Sequence, residues 1–143
     1  MDLSTRLAKL HQRIAKQELP PSAGVADFVM QLMHARTSAH VLHLQQSGPG
    51  SYARHMALGA FYEGIGDLVD SLVETYQGRH GLIAGYPSSY DAPPNEPVAF
   101  MQGVCEYVRM ARASVPQESH LQNIVDEIQA LADSTLYKLT YLA

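Results

Sequence analysis

Residues 39–78 read AHVLHLQQSGPGSYARHMALGAFYEGIGDLVDSLVETYQG. A Gly-Pro-Gly break at residues 48–50 separates two segments whose apolar residues recur with a helical period, which predicts two helices joined by a tight turn. The second segment reads as one unbroken helix from Tyr52 to Gln77, and Gly78 is the residue expected to end it. Its apolar face consists of Leu58, Phe61, Ile65, Leu68, Val69, Leu72 and Tyr76.

Proline and glycine mark the ends of the other helices. Leu19-Pro20-Pro21 ends a short N-terminal helix, and Ser22 starts the helix that leads into the Gly-Pro-Gly break. The stretch at residues 79–95 is rich in glycine and proline, which predicts a long crossover with room for one short helical turn. The remaining helices are expected at residues 3–17, 22–46 and 96–114, and from residue 116 onward.

This order of elements predicts the fold class. Two helices with a tight turn, a long crossover and two more helices with a tight turn form a ferritin-like four-helix bundle. We therefore expect an all-α chain with a single domain over residues 1–143, in which residues 1–21 form a short N-terminal helix and linker and residues 22–143 form the bundle. No Glu-x-x-His motif of the ferritin site within one bundle occurs in the sequence.

The composition of the chain argues against some classes of function. The chain has 143 residues, of which 46% are hydrophobic, and a net charge of −4, which argues against general nucleic-acid binding. It lacks both a run of about 20 apolar residues that would cross a membrane and a signal-peptide pattern, so a cytoplasmic protein is expected. The single cysteine, Cys105, lies in an apolar run and is expected to be a buried thiol.

Four residues suggest a metal site: His43, His55, Asp70 and Glu74. Imidazole nitrogens and carboxylate oxygens bind iron, zinc and manganese, so a site for one of these ions is expected. The two carboxylates are one helical turn apart and can reach the same ion.

Distance places these four ligands on two chains. His55 and Asp70 lie on one straight helix and are about 22 Å apart at 1.5 Å per residue. A shared ion therefore requires histidines from one chain and carboxylates from another. Two antiparallel copies of the helix about a two-fold axis would form such a site at each end of the pair.

The polar face of this helix carries further candidate ligands, Glu63 and Asp67, together with Gly59 and Gly66. A solvated face is the simplest explanation of such a stripe. However, no Lys or Arg of this helix interrupts it between His55 and Glu74, so its acids repel one another unless a cation or partner neutralises them. Each glycine costs about 1 kcal/mol relative to alanine, and glycine on a helix face often marks the close approach of a neighbour.

The stretch 39–78 resembles the Dps family of miniferritins in its His-to-His, His-to-Asp and Asp-to-Glu spacings and in the glycine that follows the first histidine by five residues. The resemblance implies an iron-storing homo-oligomer, at least a two-fold dimer and in the family a twelve-subunit cage. It also implies a ferroxidase centre between subunits, with His43, His55, Asp70 and Glu74 as its catalytic residues and Fe(II) oxidised by peroxide or dioxygen.

The chain departs from the family pattern at two positions. Leu44 stands where the family usually has a tryptophan, and Gly59 stands where many members have an aspartate. The alternative is therefore a non-enzymatic ferritin-like structural or binding protein with a degenerate site or a redox-inert cation such as Zn²⁺. The lysine-rich tail that Dps proteins often use on DNA has no counterpart here, so DNA binding is expected to be weak or absent.

Overall fold

The computed structural model describes residues 2–16, 19–88 and 94–143. Its elements are α1 (Leu3–Ala15), α2 (Ala23–Leu44), α3 (Ser51–His80), α4 (Pro97–Ala111), a 3-10 turn (Arg112–Ser114) and α5 (Ser119–Tyr141). These ranges contain no strand, so the predicted all-α class is confirmed. None of the described helices is both long and apolar enough to cross a membrane.

Glycine with a positive φ sets the end of α3. The sequence pattern predicts an end at Gly78, but this prediction is wrong, because the helix continues to His80. Gly81 follows with φ 87°, a backbone conformation that residues other than glycine rarely adopt. This residue ends the helix. The last helix also begins later than predicted, at Ser119 instead of Pro116.

The predicted crossover is only partly described. Residues 82–88 and 94–96 contain no helical turn, and residues 89–93 lie outside the described residues, as does the expected end of the first helix at Gln17. After the crossover, Glu96 caps α4 by accepting hydrogen bonds from the backbone N–H groups of Val98 and Ala99, at 3.0 and 2.6 Å. Pro97 then occupies the first helical position, where no N–H is needed.

The four longer helices pack pairwise. Helix α2 packs against α3 and α4, and α5 packs against the same two helices, so α3 and α4 lie diagonally opposite each other. A connection along the diagonal must be long, which explains the crossover between them. The side chains that fill the core and are almost fully buried are Phe28, Val29, Leu32, Leu42, Leu58, Phe61, Ile65, Leu72, Met101, Val108, Leu121 and Ile128.

A buried polar cluster ties α1 to this core. Asp27 is 6% exposed and accepts hydrogen bonds from Arg6 Nη2 at 3.3 Å and from the Tyr107 hydroxyl at 3.1 Å. Burial, followed by the charge of Asp27, raises the pKa of Tyr107 well above its usual value, so this hydroxyl stays protonated and donates. The cluster therefore joins α1, α2 and α4 at one point.

Cys105 is buried, as the sequence predicts. Burial, with a smaller contribution from a hydrogen bond to Asp133, raises the pKa of its thiol to about 12. The thiolate is therefore scarce at neutral pH, and a nucleophilic role for this residue is disfavoured.

Phe61 tests the core. We expect Phe61→Ala to lower the free energy of unfolding by about 3–5 kcal/mol, because the ring is 0% exposed and its loss leaves a cavity. Tyr137→Ala is the control, since Tyr137 is 54% exposed and its removal should cost about 0.5 kcal/mol or less. Urea unfolding of both variants measures the difference. Equal losses would contradict the position of Phe61 in the core.

An exposed ionic contact joins the end of α3 to the start of α5. Glu118 contacts His80 Nε2 and accepts a hydrogen bond from Arg79 Nε at 3.2 Å. The hydrogen bond with His80 is the largest cause that holds the pKa of Glu118 below its usual value, and Arg79 adds to it. A lowered carboxylate pKa stabilises the fold above the unfolded-state pKa, and this stabilisation is lost as the pH falls through the folded-state pKa.

The stabilising effect of Glu118 should therefore depend on pH. We expect wild type to be more stable than Glu118→Gln at pH 7, and the difference to shrink as the pH falls below about 4. Thermal melts from pH 7 to pH 3 measure this difference. When both proteins also carry His80→Ala, their difference in stability at pH 7 should be smaller than it is with His80 present. A difference that does not change with pH would refute the ionic contact.

Candidate metal centre at the α2–α3 turn

His43 and His55 face each other across the turn between α2 and α3. Nδ1 of His43 donates to the backbone carbonyl of His55 at 2.6 Å, and Nδ1 of His55 donates to the backbone carbonyl of His43 at 2.9 Å. The two rings stack with centroids 3.5 Å apart and planes 20° apart. Each histidine thus fixes the orientation of the other, and the turn brings together two residues that are twelve positions apart.

These hydrogen bonds also decide which ring nitrogen can bind a metal. A carbonyl oxygen only accepts, so Nδ1 of each ring must carry the proton. In the neutral imidazole, the lone pair is then on Nε2, and neither Nε2 makes a hydrogen bond within the described part of the chain. Histidines that bind metals in proteins commonly have this arrangement, with one nitrogen held by a carbonyl and the other free.

Gly59 makes room for the His43 ring. A Cβ atom on Gly59 would lie 3.1 Å from Cε1 and 3.2 Å from Nδ1 of His43, closer than ordinary van der Waals contact. The glycine that departs from the Dps pattern therefore has a packing role, in contact with a histidine of the neighbouring helix. A glycine on a helix face predicts the close approach of a neighbour. Such an approach occurs at Gly59, and the neighbour is the side chain of His43.

His40 and Tyr62 form the next layer of the cluster, further from the break than His43 and His55. The His40 ring stacks on Tyr62 with centroids 4.2 Å apart, and the rings of Tyr62 and His43 are T-shaped to each other with centroids 5.2 Å apart. Tyr62 thus packs between two imidazoles and limits the positions that the His43 ring can take.

Asp70 and Glu74 lie elsewhere on α3 within the same chain. Both carboxylates are exposed and one helical turn apart, and they lie about 22 Å (Asp70) and about 28 Å (Glu74) beyond His55 along a continuous helix. Across the described ranges of one chain, no three His, Cys, Asp or Glu side chains lie together so that they could hold a metal ion. The structure therefore brings the two histidines together but leaves the two carboxylates away from them.

Glu63 and Asp67 share a cleft of about 150 Å³ with Asp70, Gly66 and, from α2, Arg36. Arg36 Nε donates to the backbone carbonyl of Tyr62 at 3.1 Å, and a Cβ on Gly66 would lie 3.4 Å from the guanidinium carbon. The acidic stripe of α3 is thus interrupted by a cation from another helix. The sequence alone does not reveal this contact, and Gly66 is the signal that could have indicated it.

Exposed apolar side chains lie near the two histidines in the sequence. Leu44 is 69% exposed beside His43, and Tyr52 and Met56, on the turn of α3 that holds His55, are 75% and 53% exposed. Large apolar side chains grouped near potential ligands are typical of a surface that a partner covers.

Gly59→Ala tests the packing of the two histidines. The added methyl group should displace the His43 ring and weaken both reciprocal hydrogen bonds, so that His43 and His55 lose the uniform Nδ1–H tautomer expected in wild type. Long-range ¹H–¹⁵N NMR of the imidazoles measures the tautomers. Gly78→Ala is the control on the same helix, because nothing lies within 4 Å of its added methyl group.

The two glycines should also differ in stability. Gly78→Ala should gain about 0.5–1 kcal/mol from helix propensity, whereas Gly59→Ala should gain less or lose stability. An unchanged tautomer pattern in Gly59→Ala, together with the same gain as in Gly78→Ala, would refute the packing role of Gly59.

Comparison with known proteins gives one family. The sequence profile of a family of unknown function, DUF5856, matches residues 43–139, which begin at His43 and include α3, α4 and most of α5. No curated protein and no solved structure matches the chain. Because the matched region is more than half of the sequence, the chain belongs to the DUF5856 family of unknown function.

Proposed function

We propose that two copies of this chain form a two-fold dimer that binds iron between them and oxidises it, as in the Dps miniferritins that the sequence resembles. The observation that carries this proposal is the reciprocal hydrogen bonding of His43 and His55. It leaves Nε2 free on both rings, next to a surface with exposed apolar side chains.

A second copy would supply the carboxylates. If two α3 helices run antiparallel, His55 of one copy faces the point midway between Asp70 and Glu74 of the partner subunit. The same symmetry operation forms an equivalent site at the other end, so each dimer has two sites. Leu44, Tyr52 and Met56 would then pack at the interface and exclude water from the ligands.

The donor set suits the proposed substrate. Two neutral imidazole nitrogens and two carboxylates are ligands that Fe(II) accepts, and Zn²⁺ and Mn²⁺ accept them as well. The backbone carbonyls of His43 and His55 hold the rings in place before any ion arrives, which lowers the cost of ordering them. Asp70 and Glu74 add negative charge, which stabilises Fe(III) more than Fe(II) and so favours oxidation by dioxygen or peroxide.

The packing order of the helices supports a ferritin-like bundle. Helices α2 and α3 form one hairpin, α4 and α5 form the other, and a single long connection joins them, as in ferritin-like folds. A closed cage of twelve subunits that stores the oxidised iron is the part of the proposal that follows from the resemblance alone.

A second function is favoured by one observation, the packing of Gly59 against His43. Where many Dps proteins have a carboxylate, this chain offers no ligand, so the site has one oxygen donor fewer. A site with fewer carboxylates is less selective for Fe(III), and a redox-inert cation such as Zn²⁺ would hold the dimer together without catalysis. Iron oxidation by the dimer distinguishes the two functions.

Mixed dimers test whether the ligands come from two chains. One variant carries His43→Ala and His55→Ala, and the other carries Asp70→Ala and Glu74→Ala. Each alone should lose anaerobic Fe(II) binding. Coexpressed in equal amounts, they should recover about one quarter of the wild-type capacity, because half of the dimers are mixed and each keeps one of its two sites.

Glu127→Ala is the control for the loss of an acidic side chain, since Glu127 is exposed on α5, away from the outer face of α3. This variant should bind and oxidise iron at the wild-type level. No recovery in folded mixed dimers, or full binding by either parent variant, would overturn the two-chain site. Binding without faster oxidation than in buffer would favour the redox-inert function.

A further inference from the structure

Arg36 occupies an unusual position on the outer face of the bundle. Its Nε donates to the carbonyl of Tyr62 at 3.1 Å, and its guanidinium carbon lies over Gly66, 3.4 Å from where a Cβ would be. The backbone hydrogen bond and the missing Cβ together fix the guanidinium against α3. A Cβ at position 66 would lie in van der Waals contact with the guanidinium.

The surroundings of Arg36 are acidic, yet it makes no ion pair with the residues that the structure describes. Glu63, Asp67 and Asp70 line the same cleft. Even so, Arg36 makes no ion pair within 4.0 Å with any residue of the described ranges. Arg36 and Glu63 are both exposed, so both can reach a group outside the chain.

The symmetry of the proposed dimer places a specific group there. If His55 faces the midpoint of Asp70 and Glu74 of the partner subunit, the two-fold axis crosses α3 between Glu63 and Gly64. Arg36 is anchored at Tyr62 and Gly66, so it lies within one helical turn of that axis. Glu63 of the partner subunit then arrives at the same height along the helix.

We propose that Arg36 of each copy forms an ion pair with Glu63 of the partner subunit across the two-fold axis. The inference rests on the proposed function, because it uses the dimer register that the metal ligands require. Without a counter-charge, the approach of two α3 helices would bring like-charged stripes together. The two arginines near the axis supply this counter-charge, so the charges of one copy complement those of the other.

The ion pair is separate from the four ligands of the proposed site, which are His43, His55, Asp70 and Glu74. Glu63 is eight residues from His55, which corresponds to about 12 Å along α3. Charge changes at the axis should therefore alter the dissociation constant of the dimer while the ligands of the metal site remain intact. The effect should also weaken at high salt, because an ion pair near a surface is screened.

Charge reversal with mixing tests the proposal. Arg36→Glu and Glu63→Arg, each alone, place like charges across the axis, and each should dissociate at least about tenfold more readily than wild type. In an equimolar mixture, the heterodimer regains both ion pairs, one unchanged and one with its two charges exchanged, so the mixture should dimerise nearly as well as wild type. Sedimentation equilibrium at low salt measures all three samples.

The mixture also separates contacts between chains from contacts within one chain. If Arg36 acted only on Glu63 of its own chain, mixing the two variants would restore nothing, and this result would overturn the proposal. Wild-type dimerisation by Arg36→Glu would overturn it too. Arg109→Glu, at an exposed position on α4 paired with Glu106, is the control and should dimerise as wild type does.

The outcomes also distinguish this inference from the proposed function. A dimer that is restored by mixing but binds no Fe(II) would support the ion pair and refute the metal site. A dimer that binds Fe(II) and ignores charge reversal would refute the ion pair alone. Circular dichroism of each variant confirms that it is folded before either conclusion is drawn.

Discussion

The paired hydrogen bonds of His43 and His55 are the interaction on which the α2–α3 turn depends. The carbonyl of His43 belongs to the last turn of α2, where backbone carbonyls have no partner within the helix. The His55 ring satisfies it, and the His43 ring bonds to α3 in return. One pair of side chains thus caps a helix, holds two helices together and leaves two nitrogen lone pairs available.

Two glycines on the polar face of α3 leave space for side chains of α2. At Gly59 the missing Cβ gives space to the His43 ring, and at Gly66 it gives space to the guanidinium of Arg36. Each glycine lowers helix stability by about 1 kcal/mol relative to alanine. The long apolar face of α3 and the packing of α2 and α5 against it offset this cost, so the helix can give up stability where α2 contributes functional side chains.

Charge links the site to assembly. The outer face of α3 carries four exposed carboxylates, and in one chain α2 supplies a single arginine beside them. The negative charge of this surface is only partly compensated within one chain. Bound cations or a second copy of the chain would compensate the rest. The proposed iron binding and the proposed dimerisation would both neutralise this face. Iron would do so at Asp70 and Glu74, and Arg36 of the partner subunit would do so at Glu63.

The sequence by itself determined the all-α class, the five α-helices of the described residues, the tight turn at Gly48-Pro49-Gly50 and the distance that keeps Asp70 away from His55 in one chain. Apolar periodicity, helix-breaking residues and the fixed rise of a helix are local properties, so they can be read from a sequence. The end of α3 was missed because Gly78 and Gly81 are equivalent until their φ angles are known.

Only the tertiary structure decided the rest: the Nδ1–H tautomer of both histidines, the contact between Gly59 and His43, and the position of Arg36 in the acidic cleft. Each of these depends on two helices meeting in one register, between residues that are 12 to 30 positions apart. No local pattern encodes that register, because it results from the packing of the whole core.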